Sequence, residues 1–293
     1  MPAPQIAFAA STDFVDLDDS WPPLRAELER VGVQAHVIPW DAAGSDIGWG
    51  DFDLVAANYT WGYVVARDRF LEWAGRVSAA TRLVNPLPHL AWSSDKTYLA
   101  DLDEAGIPVV PTVWVAPGDD WEPPGGDDGY VVKPTVASGG MGAARYRTGD
   151  PVHQARGHVD ALHEAGHTAM VQPYQSSVDR SGETALVYLG GALSHALRKG
   201  PLLRPGAGVV ERLWEQQVIT PATASGAERA LGEAVMAAVG ERLGPTSYGR
   251  VDMVPGPLGD PVVLEVELVE PALFLQHSEG SASRFASVLR DAL

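Results

Sequence analysis

The 293 residues predict an α/β protein that becomes α+β in its C-terminal part: a Rossmann-like parallel-sheet unit, a small second unit, and an antiparallel sheet at the end. Three observations predict this. Apolar runs alternate with amphipathic segments through residue 86, as they do where crossover helices join parallel strands. Gly190-Gly191 separates two apolar stretches as a two-residue hairpin turn. Residues 249–254 and 261–269 alternate apolar and polar side chains on either side of a Pro- and Gly-rich turn, the period of half-buried antiparallel strands.

The elements follow in order. Strands are expected at 6–10, 35–39, 54–57 and 83–84. Ser20-Trp21-Pro22-Pro23 opens a helix with a capping serine and prolines in the first turn, where a missing N–H is harmless, and Gly32 stops it. A second helix is expected over 67–80. Asn85-Pro86-Leu87-Pro88 breaks the pattern and reads as a linker. A helix over 95–105 would end at Gly106-Ile107-Pro108 and lead to a strand at 109–115. The Pro-, Gly- and Asp-rich stretch 117–129 reads as solvated connection, followed by strands at 130–134 and 143–146. A hairpin over 183–198, an Ala-rich helix over 224–243, the strand pair and a last helix over 280–293 complete the chain. The expected units are 1–86, 87–172 and 173–293.

Composition narrows the function. With 21 basic and 38 acidic side chains the formal charge is −17, which argues against a nucleic-acid partner, because counterion release needs clustered cations. No stretch approaches the roughly 18 apolar residues of a membrane helix. The first ten residues lack the cationic start of a signal peptide. A cytoplasmic protein without a membrane partner is expected. The absence of cysteine removes disulfides, iron–sulfur clusters, thiolate zinc and a Cys nucleophile together. Only three of the 21 basic residues are lysines: Lys96, Lys133 and Lys199. Where arginine supplies the surface charge, a retained lysine suggests a compact ammonium of the kind that meets a phosphate; chance is the alternative.

Two motifs could carry chemistry. In 131–145 an apolar strand ends at Lys133-Pro134, before the small-residue loop Ser138-Gly139-Gly140-Met141-Gly142. Glycines let backbone N–H groups converge on an anion beside the lysine, although an ordinary hairpin connection reads the same way. In 262–268, Glu265 and Glu267 alternate with apolar residues and so share one sheet face, about 7 Å apart. Asp252 on the preceding strand can pair onto that face. Three hard oxygen donors suit magnesium or manganese; a solvated acidic face is the alternative. His163-Glu164-Ala165-Gly166-His167 matches the zinc-peptidase pattern, but Gly166 falls where the helix should end, taking His167 off the helical face that a metal requires.

Taken in order, Lys96, Lys133 with its Gly loop, Gln172-Pro173-Tyr174, Arg198-Lys199, Arg250-x-Asp252 and Glu265-x-Glu267 resemble the ATP-grasp superfamily. The resemblance spans about residues 86–271. Thr60-Trp61-Gly62-Tyr63, Asn85-Pro86, Ser94-Asp95-Lys96 and the run Glu267 to Pro271 resemble the glutathione-synthetase-like branch that contains the cyclo-ligase of cycloserine biosynthesis.

The resemblance implies ATP as cosubstrate with magnesium or manganese. Lys96 and Lys133 would contact nucleotide phosphates and the adenine edge, Gln172, Pro173 and Tyr174 would form the hinge that reads adenine, and Glu183 a ribose or hinge contact. Ser138, Gly139, Gly140, Met141 and Gly142 would cover the β- and γ-phosphates. Asp252, Glu265 and Glu267 would hold metal, although many relatives carry Asn where Glu267 stands. Arg250 and Lys199 would face the transferred phosphoryl group. A substrate carboxylate would become an acyl phosphate that an amine then attacks, within one molecule or between two. Candidate contacts for a small amino-acid-like substrate are Ser11, Thr12, Asp13, Trp61, Tyr63 and Glu270, with packing as the alternative for Trp61 and Tyr63. A nucleotide-binding regulator on a degenerate ligase scaffold is the reading from another class. Homo-oligomer formation is left open.

Overall fold

The computed structural model describes residues 2–14, 17–42, 47–204, 206–211 and 217–293. Its first sheet contains β1 (Gln5–Ala10), β2 (Gln34–Pro39), β3 (Leu54–Tyr59) and β4 (Arg82–Val84), all parallel in the order β2-β1-β3-β4. Helices α1 (Trp21–Arg30) and α2 (Arg67–Ala80) make the crossovers. β1 and β3 are buried along almost their whole length, as strands covered on both faces must be, which is why they read as continuous apolar runs.

Two short helices follow, α3 (Leu87–Ser93) and α4 (Tyr98–Glu104). Here the structure corrects two expectations. The expected linker Asn85-Pro86-Leu87-Pro88 runs into a helix: Pro88 sits in the first turn of α3, where its missing N–H breaks no bond. Asn85 is fully buried, its amide donating to Tyr248 O and Leu268 O while its carbonyl accepts from Ser247 N. The helix expected over 95–105 starts later, at Tyr98, and Lys96 lies in the turn between α3 and α4. Ser93 Oγ and Tyr98 Oη explain the turn, because both engage the backbone of Val266 and Leu268 and dock the helix pair against the acidic strand.

The second sheet is antiparallel: β5 (Val113–Val115), β6 (Tyr130–Pro134), β7 (Ala144–Tyr146) and β8 (Ala169–Pro173) in the order β5-β8-β6-β7, backed by α5 (Val152–Glu164). The expected strand over 109–115 is shorter, and its start instead bridges Val109 to Val263. The stretch 117–129 is also more than connection, since Trp121 is buried in the core with Val115, Val159 and Leu162. α5 ends at Glu164, with Gly166 at φ +83° and His163 Nε2 bonded to Val115 O. The His163 and His167 rings therefore do not share one helical face.

The short helix α6 (Val178–Ser181) leads into the third sheet. It contains β9 (Glu183–Leu189), β10 (Ala192–Lys199), β11 (Ile219–Ala222), β12 (Tyr248–Pro255) and β13 (Pro261–Glu267), in the order β11-β10-β9-β12-β13. β11 is an element the sequence pattern did not mark. Helix α7 (Gly226–Leu243) starts with a capping box between Ser225 and Glu228. It covers one face of the sheet, burying Leu231, Val235 and Val239. The last helix, α8 (Ser281–Asp291), packs on α1, and its Phe285 and Leu289 join Ile6, Phe8, Leu24 and Tyr248 in one core. That shared core fixes the first sheet against the third. Among the described residues no helix is long and apolar enough to cross a membrane.

Candidate active site

β12 and β13 build the acidic side of the site. Their register places Arg250 opposite Glu267 and Asp252 opposite Glu265, with an irregularity just after Asp252. Period-2 alternation puts all four on one sheet face, where Arg250, Glu265 and Glu267 line a cavity of about 400 Å³ and Asp252 is fully buried beside Arg250, while Val251 and Val266 face α7. β9 and β10 add a directly opposed pair, Glu183 and Lys199. β6 brings Lys133 across the cavity, and the α3–α4 turn brings Lys96. All three lysines of the chain therefore line one cavity.

Their partners differ. Lys96 Nζ lies 3.1 Å from Glu265 Oε1 and bonds Ala137 O. Lys199 Nζ bridges Glu183 Oε2 at 2.9 Å and Asp252 Oδ2 at 2.7 Å; burial opposes its charge, but these two carboxylates outweigh burial and raise its pKa. Among the described residues the Lys133 ammonium makes no hydrogen bond or ion pair. Burial pulls its pKa down to about 8, with nearby Lys96 and Lys199 adding to the fall against the pull of Glu265 and Glu183.

Arg250 grips both acidic strands. Its Nε and Nη2 reach Asp252 Oδ1 and Oδ2 at 2.8 and 2.9 Å, Nη2 also reaches Glu267 Oε1 at 2.5 Å, and Nη1 donates to Ala272 O at 3.0 Å. Burial would neutralise Asp252, yet Arg250 and Lys199 hold its pKa below the usual carboxylate range. Burial also works against Glu265, and Lys96 with Lys133 keeps its pKa lowered. Glu267 and Glu270 go the other way. Burial lifts Glu267 to about 7, aided by Glu265 and Asp252 against Arg250. Burial and then Glu267 lift Glu270 to about 8. The carboxylates are crowded enough that two of them favour a proton near neutrality.

The other end of the cavity is apolar. Val110, Val131, Val178, Val254 and Leu264 line it beside Gln172, Pro173, Tyr174 and Gln175. Gln172 Nε2 is tied to Thr112 Oγ1, and Tyr174 Oη to Asp179 with Arg145 stacked on its ring, so both side chains are fixed by neighbours. In the Gly loop, Met141 N and Gly142 N are engaged by Ser138 O and Val210 O, whereas the N–H groups of Ser138, Gly139 and Gly140 donate to no acceptor among the described residues. Gly140 has φ +76°, and a Cβ there would strike Leu202. Lys133, Ser138, Gly139 and Gly140 line the same cavity, and a cation beside free N–H donors is chemistry that suits an anion.

Of the expected substrate residues, Trp61 and Glu270 line the cavity, with Trp61 Nε1 bonded to Glu270 O at 2.9 Å. Ser11, Thr12, Asp13 and Tyr63 do not. Ser11 Oγ accepts from Trp40 Nε1 and Gly62 N; Thr12 bonds Asp41; Asp13 is exposed; Tyr63 packs on Phe70 in the core. Glu183 lines the cavity and is engaged by Lys199, close enough to Tyr174 for its charge to act on that ring's hydroxyl. Sequence reasoning missed Phe274, Leu202, Leu203 and Gln217 on the cavity wall. They lie in irregular segments where no period marks a face.

The donor set suits a hard cation. Among the described residues no three acidic or histidine side chains converge enough to hold a metal unaided. Glu265 and Glu267, however, each engage only one oxygen with protein cations, so a magnesium ion completing its shell with phosphate and water fits.

The family described as "D-cycloserine synthetase DcsG, N-terminal domain" matches residues 6–85. The chain is 39% identical to the cycloserine biosynthesis protein DcsG of Streptomyces lavendulae, over 97% of this chain and 98% of that protein. The crystal structure of D-cycloserine synthetase DcsG superposes with a TM-score of 0.88 at 36% identity, covering 98% of this chain and 99% of that one. D-alanine–D-alanine ligase from Bacillus anthracis complexed with ATP shares the fold at a TM-score of 0.65 and 14% identity, covering 99% and 97%. An ATP-grasp RimK domain protein from Sphaerobacter thermophilus does so at 0.64 and 20%, covering 98% and 99%. On this similarity along almost its full length, the chain belongs to the DcsG family of ATP-grasp ligases.

Proposed function

We propose that this ligase uses ATP and magnesium to activate the carboxylate of a small serine-derived amino acid as an acyl phosphate, and that an amine of the same molecule then closes a ring. The observation that carries the nucleotide part is the Lys133 ammonium, unpaired among the described residues, beside the free N–H groups of Ser138, Gly139 and Gly140 in the cavity that Glu265 and Glu267 also line. A buried cation without a partner calls for an anion. The apolar end between Val131, Val254 and the hinge suits a flat aromatic base. The intramolecular step is supported by the DcsG relatives, whose described product is cycloserine.

The residues divide the task. Lys133 and the Gly loop hold the phosphates; Lys199 and Arg250 face the phosphoryl group in transfer, where their charges offset the charge that spreads over its oxygens. Glu265 and Glu267 would hold magnesium, which when bound polarises the phosphate oxygens. Glu270 and the indole of Trp61 orient the amino-acid substrate. No protein nucleophile is required. Leu202 and Leu203 help to exclude water, which would hydrolyse an acyl phosphate.

The test is ADP release over a panel of amino acids and O-substituted serines, with mass detection. O-ureidoserine is expected to give the ring compound with loss of ammonia and carbon dioxide, with ATP and water becoming ADP and phosphate. A coupled product containing two amino acids would replace ring closure by intermolecular ligation. Full turnover by Glu265→Gln would refute the site.

A further inference from the structure

We infer that Phe274 is the specificity-determining residue that limits substrate size at the carboxylate end of the cavity, an inference that rests on the ligase reading above. Phe274 has φ 49° and ψ 42°, the one non-glycine residue at positive φ among the described residues. A left-handed phenylalanine is disfavoured and persists only where its surroundings over-determine it. They do so here. Ala272 O accepts from Arg250 Nη1 at 3.0 Å and Leu273 O from His195 Nε2 at 2.9 Å. On the other side Ser20 Oγ accepts from Leu275 N at 3.1 Å, and Ser281 Oγ donates to Leu275 O at 2.7 Å. Four anchors from four separate parts of the chain fix one residue whose own side chain is only half-buried.

That side chain lines the cavity, with its ring centroid 5.8 Å from the Arg250 guanidinium carbon. Arg250 and Val254 lie on one strand, four residues and about 13 Å apart. Val254 belongs to the apolar hinge end, so Phe274 stands at the far end, past the phosphoryl-transfer groups. The reacting carboxylate must lie between Arg250 and Glu270, and the substituent it carries must then pass the phenyl ring. With the backbone on both sides fixed, the residue as a whole cannot shift to admit a longer group, which meets the ring in this position. The site accepts amino acids with a short, slim polar substituent and rejects bulky ones, and Phe274 supplies the rejection.

The experiment compares wild type, Phe274→Ala and Phe274→Leu by ADP release with O-substituted serines of increasing size, alongside the KM for ATP. In Phe274→Ala the kcat/KM ratio of a bulky to a small substrate is expected to rise at least about 10-fold, the scale of a change in pocket size. The KM for ATP should stay within about 2-fold, since the ring lies away from the hinge. Phe274→Leu should fall between. An unchanged ratio, or a parallel loss for every substrate and for ATP, would overturn the inference. Phe274→Gly keeps the left-handed backbone without strain and replaces Phe274→Ala should that variant fail to fold. If wild type releases no ADP with any substrate, the ligase reading fails by itself. The size order is then measured by calorimetric binding of the same amino acids, where a variant that gains no affinity for the bulky members refutes the role of Phe274.

Discussion

Replacing Lys133 by methionine separates what the cavity needs for stability from what it needs to hold nucleotide. The ammonium sits without a partner, and Lys96, Lys199, Glu183 and Glu265 face it with opposing effects whose sum, after burial, is a pKa of about 8 against the usual 10.5. At pH 7 the group is still charged, so folding has to bring a charge into an unfavourable place. A fall of this size corresponds to about 3 kcal/mol, a ceiling because the side chain keeps some contact with water. Methionine has similar length and no charge. Lys133→Met is therefore expected to stabilise the nucleotide-free protein, by up to about 5 °C in Tm given an unfolding entropy near 0.6 kcal/mol/K for a chain of this length. The pH dependence has a definite sign. A lysine whose folded pKa is depressed costs stability below that pKa, and the cost fades as pH rises from about 8 toward 10.5. The gain should then shrink to about 1 kcal/mol at pH 9.5. The same variant should lose the thermal shift that ATP with magnesium gives wild type. Melting curves at pH 7 and 9.5, with and without nucleotide, measure all of this. A destabilised Lys133→Met, or one that keeps its nucleotide shift, would refute the reasoning.

Arg250→Met should act in the opposite direction, leaving Asp252 buried without its fork and costing roughly 3 to 5 kcal/mol in urea denaturation. His195, whose ring nitrogens are bonded to Leu273 O and Ser194, has its pKa lowered to about 4, mainly by burial. Because the folded state holds this group neutral, stability is full above about 6.5 and is lost as pH falls toward 4, by up to about 3 kcal/mol. His195→Gln should flatten that limb of the stability–pH curve, and an unchanged limb would assign the acid loss to other groups.

Much of the site was legible because strands write their faces into the sequence. The alternation around Glu265 and Glu267 gives their common face, and the register of β12 with β13 puts Asp252 opposite Glu265. The scarcity of lysine marked Lys96, Lys133 and Lys199, and all three meet in the cavity. What stayed hidden depends on contacts between residues far apart in the chain. Asn85-Pro86 resembles a linker until its amide is seen bonded to Tyr248 and Leu268, more than 160 residues away. Lys96 leaves its helix because Ser93 and Tyr98 are drawn to the edge of β13. Ser11 and Thr12 sit at the end of a parallel strand, where ligands commonly bind, but Trp40, Gly62 and Asp41 engage them first. Phe274 follows no period, since its position is set by anchors on either side of it.

The charges around the cavity supply a test of the proposed magnesium requirement. Lys96, Lys133, Lys199 and Arg250 supply four positive charges and Glu183, Glu265, Glu267 and Glu270 four negative ones along the lining; with the buried Asp252, which pairs with Lys199 and Arg250, the formal sum is −1. Three of the four cations are already paired with those carboxylates, leaving Lys133 as the one not engaged. A triphosphate entering this cavity adds several more negative charges and finds one free ammonium and three backbone N–H groups. That is too little opposite charge, so ATP alone should bind weakly. Divalent ions alter the balance by neutralising the phosphates and by replacing the proton that Glu267 otherwise favours near pH 7. Calorimetric titration of ATP with EDTA present should therefore show an affinity at least about 10-fold weaker than with excess magnesium, the minimum that one compensated buried charge implies. Equal affinity in the two titrations would mean that the lysines hold the nucleotide unaided, and the acidic hairpin would need another purpose.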